Sequence, residues 1–319
     1  MLDIFWVIAG LAGLVTGGDL LVRGAVAVAQ AFRISPLVIG LTLVGFGTST
    51  PELVTSLQAA LAGSPGIAIG NVVGSNIGNI LLILGLAALL RPVAVDPAAL
   101  RRDGTVMATA TLICTIVILQ GVLGRVSGAV MLGLLALYLG FTLAMERRAA
   151  SPAVALYTAE ADLLPPLVAR ALLTHLLLAL AGLALTILGA RFLVSGAVGL
   201  AAAAGVSETV IGLTIVAIGT SMPELVTSLI AVRKGQGDVA FGNIVGSNIF
   251  NILGILGITA LVQPLAVPPQ VAAVDVWVML AATLAMTVFA VTGWRIDRRE
   301  GLVLVTAYAV YIALTLLAA

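Results

Sequence analysis

The chain has 319 residues, 61% of them hydrophobic and a further 35 glycine, where soluble domains carry roughly 45–50% apolar residues with glycine included. Charged residues make up 9%, and 15 Lys and Arg against 14 Asp and Glu leave a net charge of +1: too few to coat a water-facing surface and too balanced for nucleic acid as a partner. One cysteine, Cys114, and one histidine, His175, exclude an internal disulfide and a Cys-rich or multi-His metal centre, so the expected surroundings are a lipid bilayer and no resident cofactor is expected.

A helix needs about 20 apolar residues to cross the roughly 30 Å hydrocarbon layer. Asp3 stands where a signal peptide would carry positive charge and the following apolar run is too long for one, so 4 to 30 reads as the first span. Asp19 and Arg23 lie four apart in it and are expected to pair on one helix face. The second span, 35 to 61, is interrupted by Gly45, Gly47 and Pro51 and carries Glu52 near its middle; the third, 66 to 90, has Gly70, Gly74 and Gly78 at the spacing of a close-packing face. Spans at 103 to 121 and 126 to 145 follow, then the longest connection, 146 to 166. The sixth span, 167 to 203, has His175 near its start, in an interfacial position; the seventh, 207 to 231, is marked by Ala217, Gly219 and Pro223 and carries Glu224. Spans at 239 to 262, 271 to 292 and 301 to 318 complete ten.

Twelve of the 15 Lys and Arg fall in the odd-numbered connections, and only Arg125 lies on the opposite side. Positively charged loops stay cytoplasmic, which places both termini outside and 146 to 166 in the cytoplasm.

Sliding the chain on itself by 172 positions aligns VIGLTLVGFGTSTPELVTSL (38 to 57) with VIGLTIVAIGTSMPELVTSL (210 to 229), and GNVVGSNIGNILLILG (70 to 85) with GNIVGSNIFNILGILG (242 to 257). From 38 to 85, 32 of 48 positions are identical, including Thr, Ser, Pro, Glu and Asn, which similarity between apolar helices would not produce. Two homologous halves of five spans each, 1 to 145 and 167 to 319 about the linker 146 to 166, must enter the membrane from opposite sides because five is odd. The expected fold is an all-α polytopic membrane protein of ten helices in two inverted repeats, with broken helices meeting near the midplane, where transporters of this kind hold their substrate.

Glu52 and Glu224 are the chemistry-bearing residues: a charged group in mid-span costs roughly 2.5–3.5 kcal/mol on insertion scales, and neither has a Lys or Arg near it within its span. Two carboxylates brought together at the repeat axis repel unless a cation lies between them, which suits a divalent ion. Around them are hard oxygens, those of Thr48, Ser49, Thr220 and Ser221, the hydroxyls of Ser75 and Ser247, and the amides of Asn76, Asn79, Asn248 and Asn251. Calcium takes 6–8 oxygens, whereas zinc, copper and iron want sulfur or imidazole, missing from the repeats. Helix-to-helix hydrogen bonding is the competing role for these Ser and Asn residues. An intramembrane enzyme would need a second histidine or a paired-Asp motif, so no catalytic residues are assigned; a receptor or scaffold would show no ion-dependent stabilisation.

At GTSTPELVTS with GNVVGSNIGN, and GTSMPELVTS with GNIVGSNIFN, the sequence resembles the cation/calcium exchanger superfamily, specifically the prokaryotic sodium/calcium exchangers with their two alpha-repeats. The resemblance implies antiport of Na+ against Ca2+ at one shared site, in the cell (inner) membrane and by a monomeric transport unit. It implies a Ca2+ site made by Glu52, Glu224 and the carbonyls of Thr48 and Thr220. Flanking Na+ sites would use the carbonyls of Gly45 and Ala217, the hydroxyls of Ser75 and Ser247 and the amides of Asn79 and Asn251, with Ser49 and Ser221 lining the site. Relatives that co-transport K+ carry Asp at one of the positions of Asn79 and Asn251, and proton-coupled relatives carry Glu in a GNxxE pattern where this chain has GNVVG and GNIVG. Proton/calcium and potassium-dependent exchange are therefore the alternatives, and the first and sixth helices are expected to slide across the other eight to switch access.

Overall fold

The computed structural model of the chain describes residues 2–32, 35–161, 168–204 and 217–318. In chain order these form α1 (Leu2–Phe32), α2 (Pro36–Thr48), α3 (Thr50–Leu61), α4 (Pro65–Leu90), β1 (Val93–Ala94), α5 (Pro97–Leu119), β2 (Val122–Leu123), α6 (Arg125–Ala161), α7 (Val168–Ala203), α8 (Ala217–Thr220), α9 (Met222–Arg233), α10 (Gly237–Val262), β3 (Leu265–Ala266), α11 (Val271–Gly293), β4 (Arg295–Ile296) and α12 (Arg298–Ala318). Eight of the described helices are long and apolar enough to cross a membrane, or nine when the bent pair α2 and α3 is taken as one span. The remaining expected span, 207 to 231, is described only from Ala217 onward, as α8 and α9. Its residues 207 to 216, like Arg33, lie outside the described residues.

One boundary differs from expectation. The fifth span continues as helix to Ala161 rather than ending near 145. Charged residues such as Arg147 and Arg148 end the apolar run, but they favour a helix as readily as they favour water, so apolarity stops before the helix does.

The bends follow from proline. Pro51 has no N–H for the carbonyl of Gly47, and α2 and α3 meet at Ser49 with an angle of 42°. Pro223 removes the same bond to Gly219, and Ser221 sits at the break between α8 and α9 with φ −90° and ψ 9°. Helices α4 and α10 occupy the middle of the bundle and are largely buried, whereas α12 is mostly exposed. Wide, π-type turns interrupt both at repeat-related places, Asn79–Leu84 and Phe250–Leu256, re-aiming the side chains that follow.

Helices α1 and α7 lie antiparallel, with Gly10, Gly17 and Gly24 on one and Gly182, Gly189 and Gly196 on the other, each set spaced by seven residues. A Cβ at Gly17 would stand 2.5 Å from the Thr186 backbone nitrogen, and one at Gly189 2.5 Å from that of Leu14, so only glycine permits this approach. The four short strands tie the halves to each other: β1 pairs with β4 (Val93 opposite Ile296) and β2 with β3 (Val122 opposite Ala266), all antiparallel.

Candidate ion-binding site

Glu52 and Glu224 lie in the first turns of α3 and α9, directly after the prolines that open those helices, and each is 1% exposed. A helix N-terminus carries partial positive charge, so the break that places each glutamate at a new helix start also offers its carboxylate a favourable field. The two are cross-linked reciprocally. Ser221 donates to Glu52 Oε1 at 3.0 Å and Ser49 donates to Glu224 Oε1 at 2.9 Å, so each repeat's bend supplies the serine that holds the other repeat's carboxylate.

The second oxygens, Glu52 Oε2 and Glu224 Oε2, are buried and receive no donor from the protein. Neither glutamate belongs to an ion pair; the ion pairs among the described residues involve Asp19 and Asp103. The amide oxygens of Asn76, Asn79, Asn248 and Asn251 are likewise buried and undonated. No described cluster of three or more His, Cys, Asp or Glu occurs, so the oxygen donors beyond the two carboxylates are neutral. Asn79 Nδ2 is a buried donor without a partner as well, but most of these atoms are oxygens, and two buried carboxylates beside them form a set that a hard cation satisfies.

The remaining expected residues divide in two. Ser75 accepts from Asn251 Nδ2 at 3.0 Å across the repeats, and Ser247 donates to the carbonyl of Gly45 at 3.1 Å, so these two flanking groups are brought together. The Thr48 hydroxyl donates to the Val44 carbonyl at 3.0 Å and to the Asn243 side-chain oxygen at 3.2 Å, which ties the bend of the first repeat to α10 of the second. Thr220 lies opposite in sequence register at the end of α8, and Ala217 begins that helix. Asp19 and Arg23 pair at 2.7 Å as expected, away from the glutamates.

Asn71 and Asn243 belong to the site's framework and are not among the expected ligands. Asn71 Nδ2 donates to the Glu52 carbonyl (3.2 Å) and Ser56 Oγ (2.9 Å), and Asn243 Nδ2 to the Glu224 carbonyl (3.3 Å) and Ser228 Oγ (2.8 Å). All three positions of each clamp recur at the 172-residue offset, which is the signal in the sequence that marks them. Next in sequence to Gly45 and Asn251, Phe46 and Phe250 stack with ring centroids 4.5 Å apart; their repeat counterparts are Ile218 and Gly78.

Compared with known proteins, the chain matches the family model described as sodium/calcium exchanger protein over residues 2–144 and 174–317. It is 39% identical over 313 residues to the inner membrane protein YrbG of Escherichia coli (strain K12), covering 96% of this chain and 94% of that one. It is 34% identical over 337 residues to the sodium/calcium exchanger MaX1 of Methanosarcina acetivorans, covering 95% of each. Among solved structures, the sodium-calcium exchanger NCX_Mj, from a crystal soaked with Na+ and Ca2+, superposes with a TM-score of 0.86 at 33% identity over 98% of both chains.

Proposed function

The chain belongs to the sodium/calcium exchanger protein family, and from that premise we propose that it is a Na+/Ca2+ antiporter working by alternating access at one site between Glu52 and Glu224. The observation that carries this reading is the reciprocal pair of buried carboxylates, each held by the other repeat's serine and each with one oxygen left without a donor. The site carries at most two negative charges, enough for one Ca2+. The two glutamates with the carbonyls of Thr48 and Thr220 are its ligands. Na+ ions bind instead at the flanks, on Gly45 with Ser247, on Ala217 with Ser75, and on Asn79 and Asn251, with Ser49 and Ser221 as lining.

The cavity holds either Ca2+ or several Na+, never a full set of both, and the doubly negative empty site resists occlusion, so exchange follows from competition. Na+ is favoured over H+ or K+ as the counter-ion because the described site adds no third carboxylate or imidazole to the two glutamates. The duplicated clamps, the reciprocal serines and the strand pairs between halves support two inverted five-span repeats, 1 to 145 and 167 to 319, joined by a cytoplasmic linker at 146 to 166. In this reading the ten spans sit in the cell (inner) membrane with both termini outside, and a single chain is the transport unit.

The test is reconstitution into Na+-loaded vesicles diluted into Na+-free medium with labelled Ca2+. Uptake that requires internal Na+ is expected; uptake driven by a pH gradient alone, or only with K+ present, moves the chain to the proton-coupled or potassium-dependent branch.

A further inference from the structure

Asp103 and Asp275 are related by the 172-residue offset, and each accepts a tyrosine hydroxyl at 3.0 Å, from Tyr138 and Tyr311 respectively. Their charge balance differs. Asp103 is buried and held by one edge of the Arg102 guanidinium, Nε at 2.8 Å and Nη2 at 2.9 Å. The position matching Arg102 in the second half is Val274, and among the described residues no Lys, Arg or His pairs with the half-buried Asp275, whose other side-chain partner is Gln270.

Beside Val274 opens a cavity of about 650 Å³ between α11, α12 and α4. Its walls are mainly aliphatic, with Leu81, Val278 and Val310 among them. At the end where α11 begins it is bounded by Gln270 and Tyr311, the two side chains that hold Asp275. From Gln270 to Ala285, both on its wall, α11 rises about 22 Å at 1.5 Å per residue, more than the ~15 Å depth of one leaflet's hydrocarbon.

No described cation balances Asp275, and the apolar groove that starts at Gln270 and Tyr311, the two side chains bonded to it, matches an acyl chain in length. We propose that this groove binds a phospholipid whose headgroup ends in a primary ammonium, the ammonium on Asp275 and an acyl chain along Val278 and Val310. The lipid's ammonium does in the second half what Arg102 does in the first. A primary ammonium brings N–H donors to the carboxylate, which a choline headgroup lacks and an anionic headgroup opposes.

The test is native mass spectrometry of the purified full chain presented with equimolar phosphatidylethanolamine, phosphatidylcholine and phosphatidylglycerol of the same acyl composition. Phosphatidylethanolamine is expected to be retained about tenfold over the other two, equivalent to roughly 1.4 kcal/mol. Asp275→Asn should abolish that preference. Val274→Arg should do so too by supplying the guanidinium internally, and Val274 is 42% exposed, so the change leaves the core intact. Equal retention of the three lipids by the unaltered protein, or an undiminished preference in Asp275→Asn or Val274→Arg, overturns the proposal.

Discussion

The Ser49 hydroxyl on the bend of one broken helix is hydrogen bonded at 2.9 Å to Glu224 Oε1 on the other. Together with its counterpart, Ser221 to Glu52 at 3.0 Å, it makes each carboxylate's position depend on both repeats. Glu52→Gln and Glu224→Gln should each abolish Na+-driven Ca2+ uptake, because a neutral amide takes away half of the charge that balances the ion. Without ions these variants should unfold no earlier than the parent, since one of two buried like charges is gone. Ca2+ should raise the melting temperature of the parent and not of the variants. Robust exchange in either variant would sink the assignment. Ser49→Ala is milder: losing a hydrogen bond to a charged acceptor, worth about 1.5–3 kcal/mol, should raise the half-saturating Ca2+ concentration tenfold or more.

Asn71 and Asn243 offer a second test of the same site. Replacing either by Ala strands a serine hydroxyl and a glutamate carbonyl, costing about 1–3 kcal/mol through the unsatisfied groups. The two are unequal, because Asn243 also accepts the Thr48 hydroxyl at 3.2 Å and so reaches the ion-facing bend of the opposite repeat. Calorimetric Ca2+ titration should therefore show a larger loss of affinity for Asn243→Ala than for Asn71→Ala. Equal losses would mean that the Thr48 contact has no bearing on the ion.

Glu52, Glu224 and their serines were legible because a charge in an apolar span and an identity at a fixed offset are both visible in one dimension. Asn71 and Asn243 recur at the same offset, yet an amide inside an apolar helix is as compatible with packing as with a site, and only the contacts to Glu52 and Glu224 distinguish the two roles. Lys234, the second partner of Asp19, is not duplicated: position 62, its counterpart, is Ala, so no pattern pointed to it. The strand pairs between halves were illegible for a simpler reason, since two-residue strands carry no periodicity.

Phe46 and Phe250, next in sequence to Gly45 and Asn251, make a stacked pair where the other repeat has Ile218 and Gly78, so the apolar cover beside these expected ligands differs between the repeats. A stacked pair is a large apolar surface that leaves no room for water between the rings. Phe250→Ala should open that cover and produce a Ca2+ leak that needs no Na+ gradient, measured in vesicles with equal Na+ on both sides. Tight coupling in the variant would show that the stack only packs.

Asp297 and Glu300 form a reciprocal cap on α12: Asp297 Oδ1 accepts the N–H groups of Arg299 (2.8 Å) and Glu300 (3.0 Å), and Glu300 Oε2 accepts that of Asp297 (2.8 Å). The backbone donors hold the Asp297 carboxyl below its ordinary range. A depressed folded-state pKa stabilises above the unfolded value, about 3.9, and the contribution is lost as pH falls through the lower folded value. Protection of the first amides of α12 from hydrogen exchange should thus be constant from neutral pH down to about 5 and fall below about 4. Asp297→Asn should remove that acid step; a step that persists in the variant assigns it to another group.

Asp19 ties the α1 and α7 pair to the end of α9, with Lys234 Nζ at 2.6 Å from Oδ1 and Arg23 Nε at 2.7 Å from Oδ2. The counterpart of Asp19 is Arg191, opposite in sign, so the tie exists at one end of the molecule only. If α1 and α7 slide across the remaining helices during exchange, as the glycine seam that joins them as a unit suggests, α9 stays behind with Glu224 and the Asp19 to Lys234 bond must break in each cycle. A partly exposed pair of this type is worth about 0.2–1 kcal/mol, up to roughly fivefold in rate. Lys234→Ala should therefore speed the half-cycle that leaves the present conformation by up to about fivefold, with ion affinity unchanged, and Lys234→Arg should restore the parental rate. Initial Ca2+ fluxes measured in both directions in oriented vesicles separate this from a structural effect, which would slow both directions alike. Unaltered fluxes in Lys234→Ala would mean that the bond persists through the cycle and that α1 moves together with α9.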